Sequence, residues 1–171
     1  MKTLTDHLAQ YASYHRDIRN IQTHFVGIPM IVLAITSLLS RPSFDLAGLA
    51  VTPAIIVAIG TCIFYFRLNI GFGILMTGIL SLAVLFGQWS ASQTTSTWLR
   101  ISIISFVVGW VIQFIGHYFE GKKPAFVDDL VGLFIGPAFI VAEVLFKFGF
   151  MPDIKDEVER RAGHVRSESM H

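Results

Sequence analysis

Five long apolar blocks, separated by short polar joints, leave this chain few ways to fold. They run over 25–40, 46–66, 70–87, 99–119 and 130–150. A helix that crosses a bilayer needs about 20 predominantly apolar residues, with a range of about 17–25. The second and fourth blocks meet that length. The first and third are short but usable, and the last is interrupted by Gly132, Gly136, Pro137, Glu143 and Lys147. Hydrophobic residues make up 53% of the 171 and charged residues only 15%, whereas a soluble domain carries about a quarter charged residues. Mean hydropathy is +0.62. The pattern predicts an all-α integral membrane helical bundle. It would have about four transmembrane helices, an N-terminal amphipathic helix, and a re-entrant or fifth hydrophobic segment.

Three regions follow from this patterning. Residues 1–24 form the N-terminal amphipathic segment, 25–150 the membrane helical domain, and 151–171 a polar cytoplasmic tail. Leu4, Leu8, Tyr11, His15 and Ile18 recur at spacings of three and four, which predicts a helix over 4–22. Thr5 or Asp6 is its candidate cap. The opening stretch lacks the basic start and apolar core of a secretory signal, so the first apolar block is expected to be an uncleaved anchor. Arg67-Leu68-Asn69 is too short a joint for anything but an antiparallel hairpin of the second and third blocks. With the N-terminus in the cytoplasm, Lys2, Arg16, Arg19, Arg67, Lys122 and Lys123 all fall on that side. The tail cations Lys155, Arg160, Arg161 and Arg166 join them only if the last block does not cross completely. Pro137 and its neighbouring glycines are expected to bend that block. No long basic patch points to nucleic acid. The single Cys62 excludes an intrachain disulfide and a thiolate metal cluster.

Ionisable groups at membrane boundaries need partners or a function. His15 and His24 precede and open the first apolar block, and His117 closes the fourth. In the topology above, all three come to the cytoplasmic face, although nearly a hundred residues separate His24 from His117. Three imidazoles could hold iron, zinc, copper or nickel. Gln113 and Glu120 lie four before and three after His117, on its side of a helix. Either could orient an imidazole or complete the coordination. Glu120 could equally pair with Lys122 or Lys123 at the surface. Asn20 either caps a turn or holds a site residue. Arg16, Arg19, Lys122 and Lys123 could attract a carboxylate, but the orientation signal already accounts for them. His7, eight residues before His15, could be a fourth ligand but reads rather as exposed; His164 and His171 sit in the polar tail, and Glu143 with Lys147 reads as an ion pair along one helix.

The spacing of His15, Asn20 and His24, followed by Gly27 and Pro29, resembles one motif of the Mpo-like family of small membrane proteins. Gln113, Gly116, His117, Glu120, Pro124 and Ala125 resemble its other motif. The likeness runs from Tyr11 to the neighbourhood of Phe150. It implies an Fe(II)-dependent dioxygenase that uses O2 to shorten 2-hydroxy fatty acids by one carbon, as in fatty acid α-oxidation. The fungal member acts on acids derived from phytosphingosine. The family's catalytic, metal-binding histidines fall on His15, His24 and His117. An octahedral ion held by three histidines keeps three positions open, and a 2-hydroxy carboxylate offers two oxygens in chelating geometry. The implied partners are the 2-hydroxy fatty acid, O2 and the lipid bilayer; a homo-oligomer is left open. Two other readings use the same residues. One is a zinc-dependent membrane lipid hydrolase with Glu120 as general base. The other is a non-enzymatic small transporter or scaffold. A transporter places polar groups near the bilayer midplane, whereas here they gather at one end of the spans.

Overall fold

The computed structural model describes residues 2–127 and 130–166. Seven α-helices and one two-stranded hairpin make up its regular structure among those residues, apart from a short 3-10 turn at Ala125–Val127. The helices are α1 (Leu4–Ala12), α2 (Ile18–Ser40), α3 (Pro53–Leu68), α4 (Ile70–Ala91), α5 (Thr95–Glu120), α6 (Gly132–Lys147) and α7 (Pro152–Ala162). Strands β1 (Phe44–Leu46) and β2 (Leu49–Val51) pair antiparallel between α2 and α3. The all-α membrane architecture expected from the apolar blocks is present. Among the described residues α2, α4 and α5 are long and apolar enough to cross a bilayer, with 23, 22 and 26 residues. A fourth candidate is the bent pair α6 and α7, and α3 is apolar but shorter.

Several boundaries differ from the sequence reading. The predicted helix over 4–22 is broken. A reciprocal box caps α1 at Thr3, where the Thr3 hydroxyl accepts from the Asp6 amide and Asp6 accepts from the Thr3 amide. The cap is therefore neither Thr5 nor Asp6. The helix ends after Ala12, and 13–17 form a non-helical joint before α2. The second apolar block does not begin as helix either. Residues 44–51 form the hairpin, because Ala47 and Gly48 both take positive φ, 54° and 84°, as a tight two-residue turn requires. Thr52 then caps α3 and Pro53 occupies its first turn. Asn69 alone separates α3 from α4, and its side chain caps α4 through the Phe72 amide at 2.9 Å. The two helices fold back on each other as the short joint predicted. A Cβ on Gly73 would come within 2.9 Å of the Phe66 backbone, so that contact depends on glycine.

The last block bends after Pro137 rather than at it. Pro137 lies inside α6, and the 116° break falls between α6 and α7. There Gly149 (φ 79°) closes α6: its amide reaches the Phe146 carbonyl, and the Phe150 amide reaches that of Leu145. Glu143 does not pair along its helix with Lys147; its oxygen lies 3.8 Å from Arg16 Nη2. His171 lies outside the described residues.

Contacts divide the chain into two compact units. Pro29–Trp110 forms one. Its interior holds a hydroxyl cluster in which Ser37 contacts both Ser90 and Ser102 at 2.6 Å, while Trp98 Nε1 donates to the Ser37 carbonyl. Such bonds join apolar helices where water is absent. Met1–Ile28 and Val111–His171 form the other unit. It contains the start of α2, the end of α5, and α1 packed on α6 and α7.

Candidate metal centre

The second unit brings the three predicted histidines together. His15 comes from the joint after α1, His24 from the second turn of α2, and His117 from the last turn of α5. All three are buried, at 0%, 1% and 7% exposure. Their ring centroids are 4.4, 5.0 and 5.0 Å apart. One ligand atom from each lies within 4.8 Å of the others.

Hydrogen bonds decide which nitrogens face inward. His15 Nδ1 is 2.7 Å from the Tyr11 carbonyl, and His24 Nδ1 is 2.8 Å from the Asn20 carbonyl. A carbonyl only accepts, so both Nδ1 atoms carry the proton. Each ring therefore presents a bare Nε2, and these two atoms are 3.0 Å apart. Two lone pairs at that distance repel unless a cation lies between them. A second proton on either ring would be a buried charge beside a third imidazole. Burial, reinforced by neighbouring His24, holds the His15 imidazole well below its ordinary pKa, in the neutral form that ligates. Metal–imidazole bonds of about 2.0–2.1 Å, at right angles about one ion, place two nitrogens about 3 Å apart. The His15–His24 pair fits that spacing. The Nδ1 of His117 is buried without a hydrogen-bond partner. The donor set thus fits a metal ion.

The supporting residues work through backbone as much as through side chains. Asn20 is fully buried; its carbonyl orients His24, and its Nδ2 donates to Glu120 at 3.2 Å. The Glu120 side chain has no exposure. Oε2 accepts from the amides of Arg16 and Asp17 at 2.8 and 2.7 Å, and Oε1 from Arg166 Nη2 at 2.7 Å. Lys122 reaches the Ser13 carbonyl rather than Glu120. Gln113 is buried on α5 with its Oε1 unpartnered. Asn20 Oδ1 and His117 Nδ1 are also buried without hydrogen-bond partners, and Arg16 Nη2 has only its 3.8 Å ion pair with Glu143. Buried polar atoms are normally paired, so Gln113 Oε1, Asn20 Oδ1 and His117 Nδ1 are suited to take a bound group or water as partner.

Two features escaped the sequence reading. Tyr11 holds His15 twice, through its carbonyl and through a ring stacked at 4.2 Å and 7°. The four-residue spacing, shared with Asn20 and His24, was the available signal. Arg166 lies in the segment that the sequence presents as a polar tail. Its amide donates to the Arg16 carbonyl at 2.7 Å, and its carbonyl accepts from the Ile18 amide at 3.1 Å. His7 lies outside the cluster, against a small cleft with Gln10, Tyr11 and Tyr14. His164 is exposed and faces Glu159.

Comparison with known proteins shows the family. Residues 1–148 match the family described as 2-hydroxy-palmitic acid dioxygenase Mpo1-like. A relative in Saccharomyces cerevisiae, named 2-hydroxy-palmitic acid dioxygenase MPO1, is 30% identical over 159 residues. The match covers 91% of this chain and 87% of the relative. No solved structure matches the chain.

Proposed function

We propose that this chain, which belongs to the Mpo1-like family, is an Fe(II)-dependent dioxygenase that uses O2 to shorten 2-hydroxy fatty acids by one carbon. The observation that carries the reading is the pair of bare Nε2 atoms 3.0 Å apart, with a third buried imidazole beside them. The family supplies the reaction class, and the cluster supplies a place to perform it.

His15, His24 and His117 would hold the ion. Bound Fe(II) would supply the redox chemistry that lets O2 react with a closed-shell acid. The remaining roles belong to the protein. The carbonyls of Tyr11 and Asn20 keep two rings in the ligating tautomer. Glu120 and Asn20 hold the joint that carries His15. Gln113 Oε1, buried and unpartnered, is available to a substrate hydroxyl or a water. Burial of the cluster keeps bulk water from the reacting atoms. The apolar helices put the acyl chain of the substrate in lipid or between helices. In the orientation that the cation distribution favours, the N-terminus and the metal site face the cytoplasm.

The test is elemental analysis of protein purified in detergent without added metal, beside His15→Ala, His24→Ala and His117→Ala. Near-stoichiometric iron, lost in each variant, together with oxygen uptake on adding a 2-hydroxy fatty acid, is the expected result. Stoichiometric zinc without oxygen uptake after Fe(II) exchange would favour a hydrolase. No metal after anaerobic Fe(II) loading would end the metalloenzyme reading.

A further inference from the structure

We infer that the C-terminal segment ending at Arg166 is a lock on the metal centre, and that Arg166 is a positioning residue for His15. The inference rests on the reading of the three histidines as a metal site. It concerns a part of the chain beyond the residues matched by the family, which end at 148.

The argument starts from the joint at 13–17. His15 sits outside any helix; its amide holds to α1 through the Ala12 carbonyl at 2.9 Å, but the chain after it leaves that helix's hydrogen bonding. The first amides of α2 also lack partners within that helix. Arg166 and Glu120 meet both needs. Arg166 pairs with the joint as a short parallel bridge, donating to the Arg16 carbonyl and accepting from the Ile18 amide. Its guanidinium donates to Glu120 Oε1, while Glu120 Oε2 takes the amides of Arg16 and Asp17. The carboxylate faces the positive end of α2, a favourable place for a negative charge. Every amide from Arg16 to Ile18 is thereby held by Glu120 or Arg166.

Nearby contacts tie the same segment down. Arg16 Nη1 donates to the Gly163 carbonyl at 2.9 Å, and Arg161 reaches Asp6 at 2.7 Å. The lock is asymmetric, since the Glu120 side chain has no exposure whereas that of Arg166 is 53% exposed. Without Arg166 the buried carboxylate keeps its amide partners but loses its charged one. The joint then gains freedom to move His15 away from His24.

Co(II) alone is the probe, because its visible spectrum reports ligand geometry and its release to a chelator reports how firmly the site is held. The full-length chain in detergent is compared with Arg166→Ala, Arg166→Lys and Arg166→Gln. Arg166→Ala is expected to release Co(II) about tenfold faster, the lower end of what outer partners of metal ligands are worth. Its ligand-field bands should weaken or shift, with helix content unchanged. Arg166→Lys, which keeps a cation within reach of Glu120, should recover most of the wild-type spectrum and rate. Should Arg166→Ala fail to fold, Arg166→Gln decides: a shifted spectrum with release several times faster supports the lock. Wild-type release and spectrum in the folded alanine variant, or in the glutamine variant where only that one folds, overturn it. A wild-type chain that takes up no Co(II) overturns the metal reading itself, a result distinct from equal binding in all variants.

Discussion

His15 and His24 are prepared in the same way: each ring gives its Nδ1 proton to the carbonyl four residues earlier. In α2 that carbonyl belongs to a helix; before α2 it belongs to the last turn of α1. A backbone acceptor cannot be removed by substitution, so the tautomer of His15 should survive changes at residue 11. The Tyr11 ring has a separate role, covering the flat face of His15 and packing on Phe139 at 5.1 Å. Tyr11→Leu should therefore cost roughly 1–3 kcal/mol of stability through lost burial and stacking. Metal content should stay near that of the unaltered chain. Thermal melting and elemental analysis of the same preparation separate the two effects. Metal loss as complete as in His15→Ala would show that the ring, and not the carbonyl, holds the histidine. The convergence of three histidines was legible, because His24 and His117 sit at ends of apolar blocks and His15 lies in the segment leading into the first. The carbonyl partners were not, since any residue type supplies them.

Among the elements, the close approach of α2 and α5 in the site-bearing unit decides whether His24 and His117 can meet. It depends on Gly116, directly before His117. A Cβ there would collide with Thr23 Oγ1 and come within 2.6 Å of Asn20 Oδ1. Both residues precede His24 on α2, and the Thr23 hydroxyl already donates to the Asn20 carbonyl that orients His24. Gly116→Ala should push the helices apart, costing about 1–3 kcal/mol as overpacking does, and should weaken metal retention with it. Thr23→Ala in the same chain removes the worst collision and should restore part of both. Melting temperature and metal content report the outcome; a Gly116→Ala chain that keeps both unchanged would refute this account. Elements were legible where apolar length was decisive, as for α4 and α5. They were misread where turn chemistry overrode it. Residues 46–51 are as apolar as a helix, yet Ala47 and Gly48 take a hairpin turn. The joint at 13–17 broke a periodic pattern because its amides find Glu120 and Arg166, partners more than a hundred residues away that spacing cannot show.

At the scale of the whole chain, the tail bears on sidedness. Read as a solvated run of charges, it instead returns to the N-terminal segment, where α7 packs on α1, Arg161 pairs with Asp6, and Arg166 joins Asp17. The N-terminus and the described residues up to 166 are therefore expected to share one side of the membrane. The end of α5 is expected on that side too, since His117 meets His15 and His24. With both ends on one side, an even number of passes is expected from the start of α2 to the end of α5, which would make α3 a fourth pass beside α2, α4 and α5. At 16 residues α3 spans only about 24 Å, less than the roughly 30 Å hydrocarbon core. The exposed apolar residues Phe44, Leu46 and Leu49 of the preceding hairpin can lie at the opposite interface and cover the difference. This arrangement is tested with single cysteines placed in a Cys62→Ser chain, at Lys2, at Gly48 in the hairpin turn, and at His164. A membrane-impermeant thiol reagent added to the cytoplasmic side of sealed vesicles should label positions 2 and 164 and spare 48. Added from the other side, it should do the reverse. Labelling of 2 and 164 from opposite sides would separate the tail from the joint it is paired with, and would refute both the parity argument and the lock.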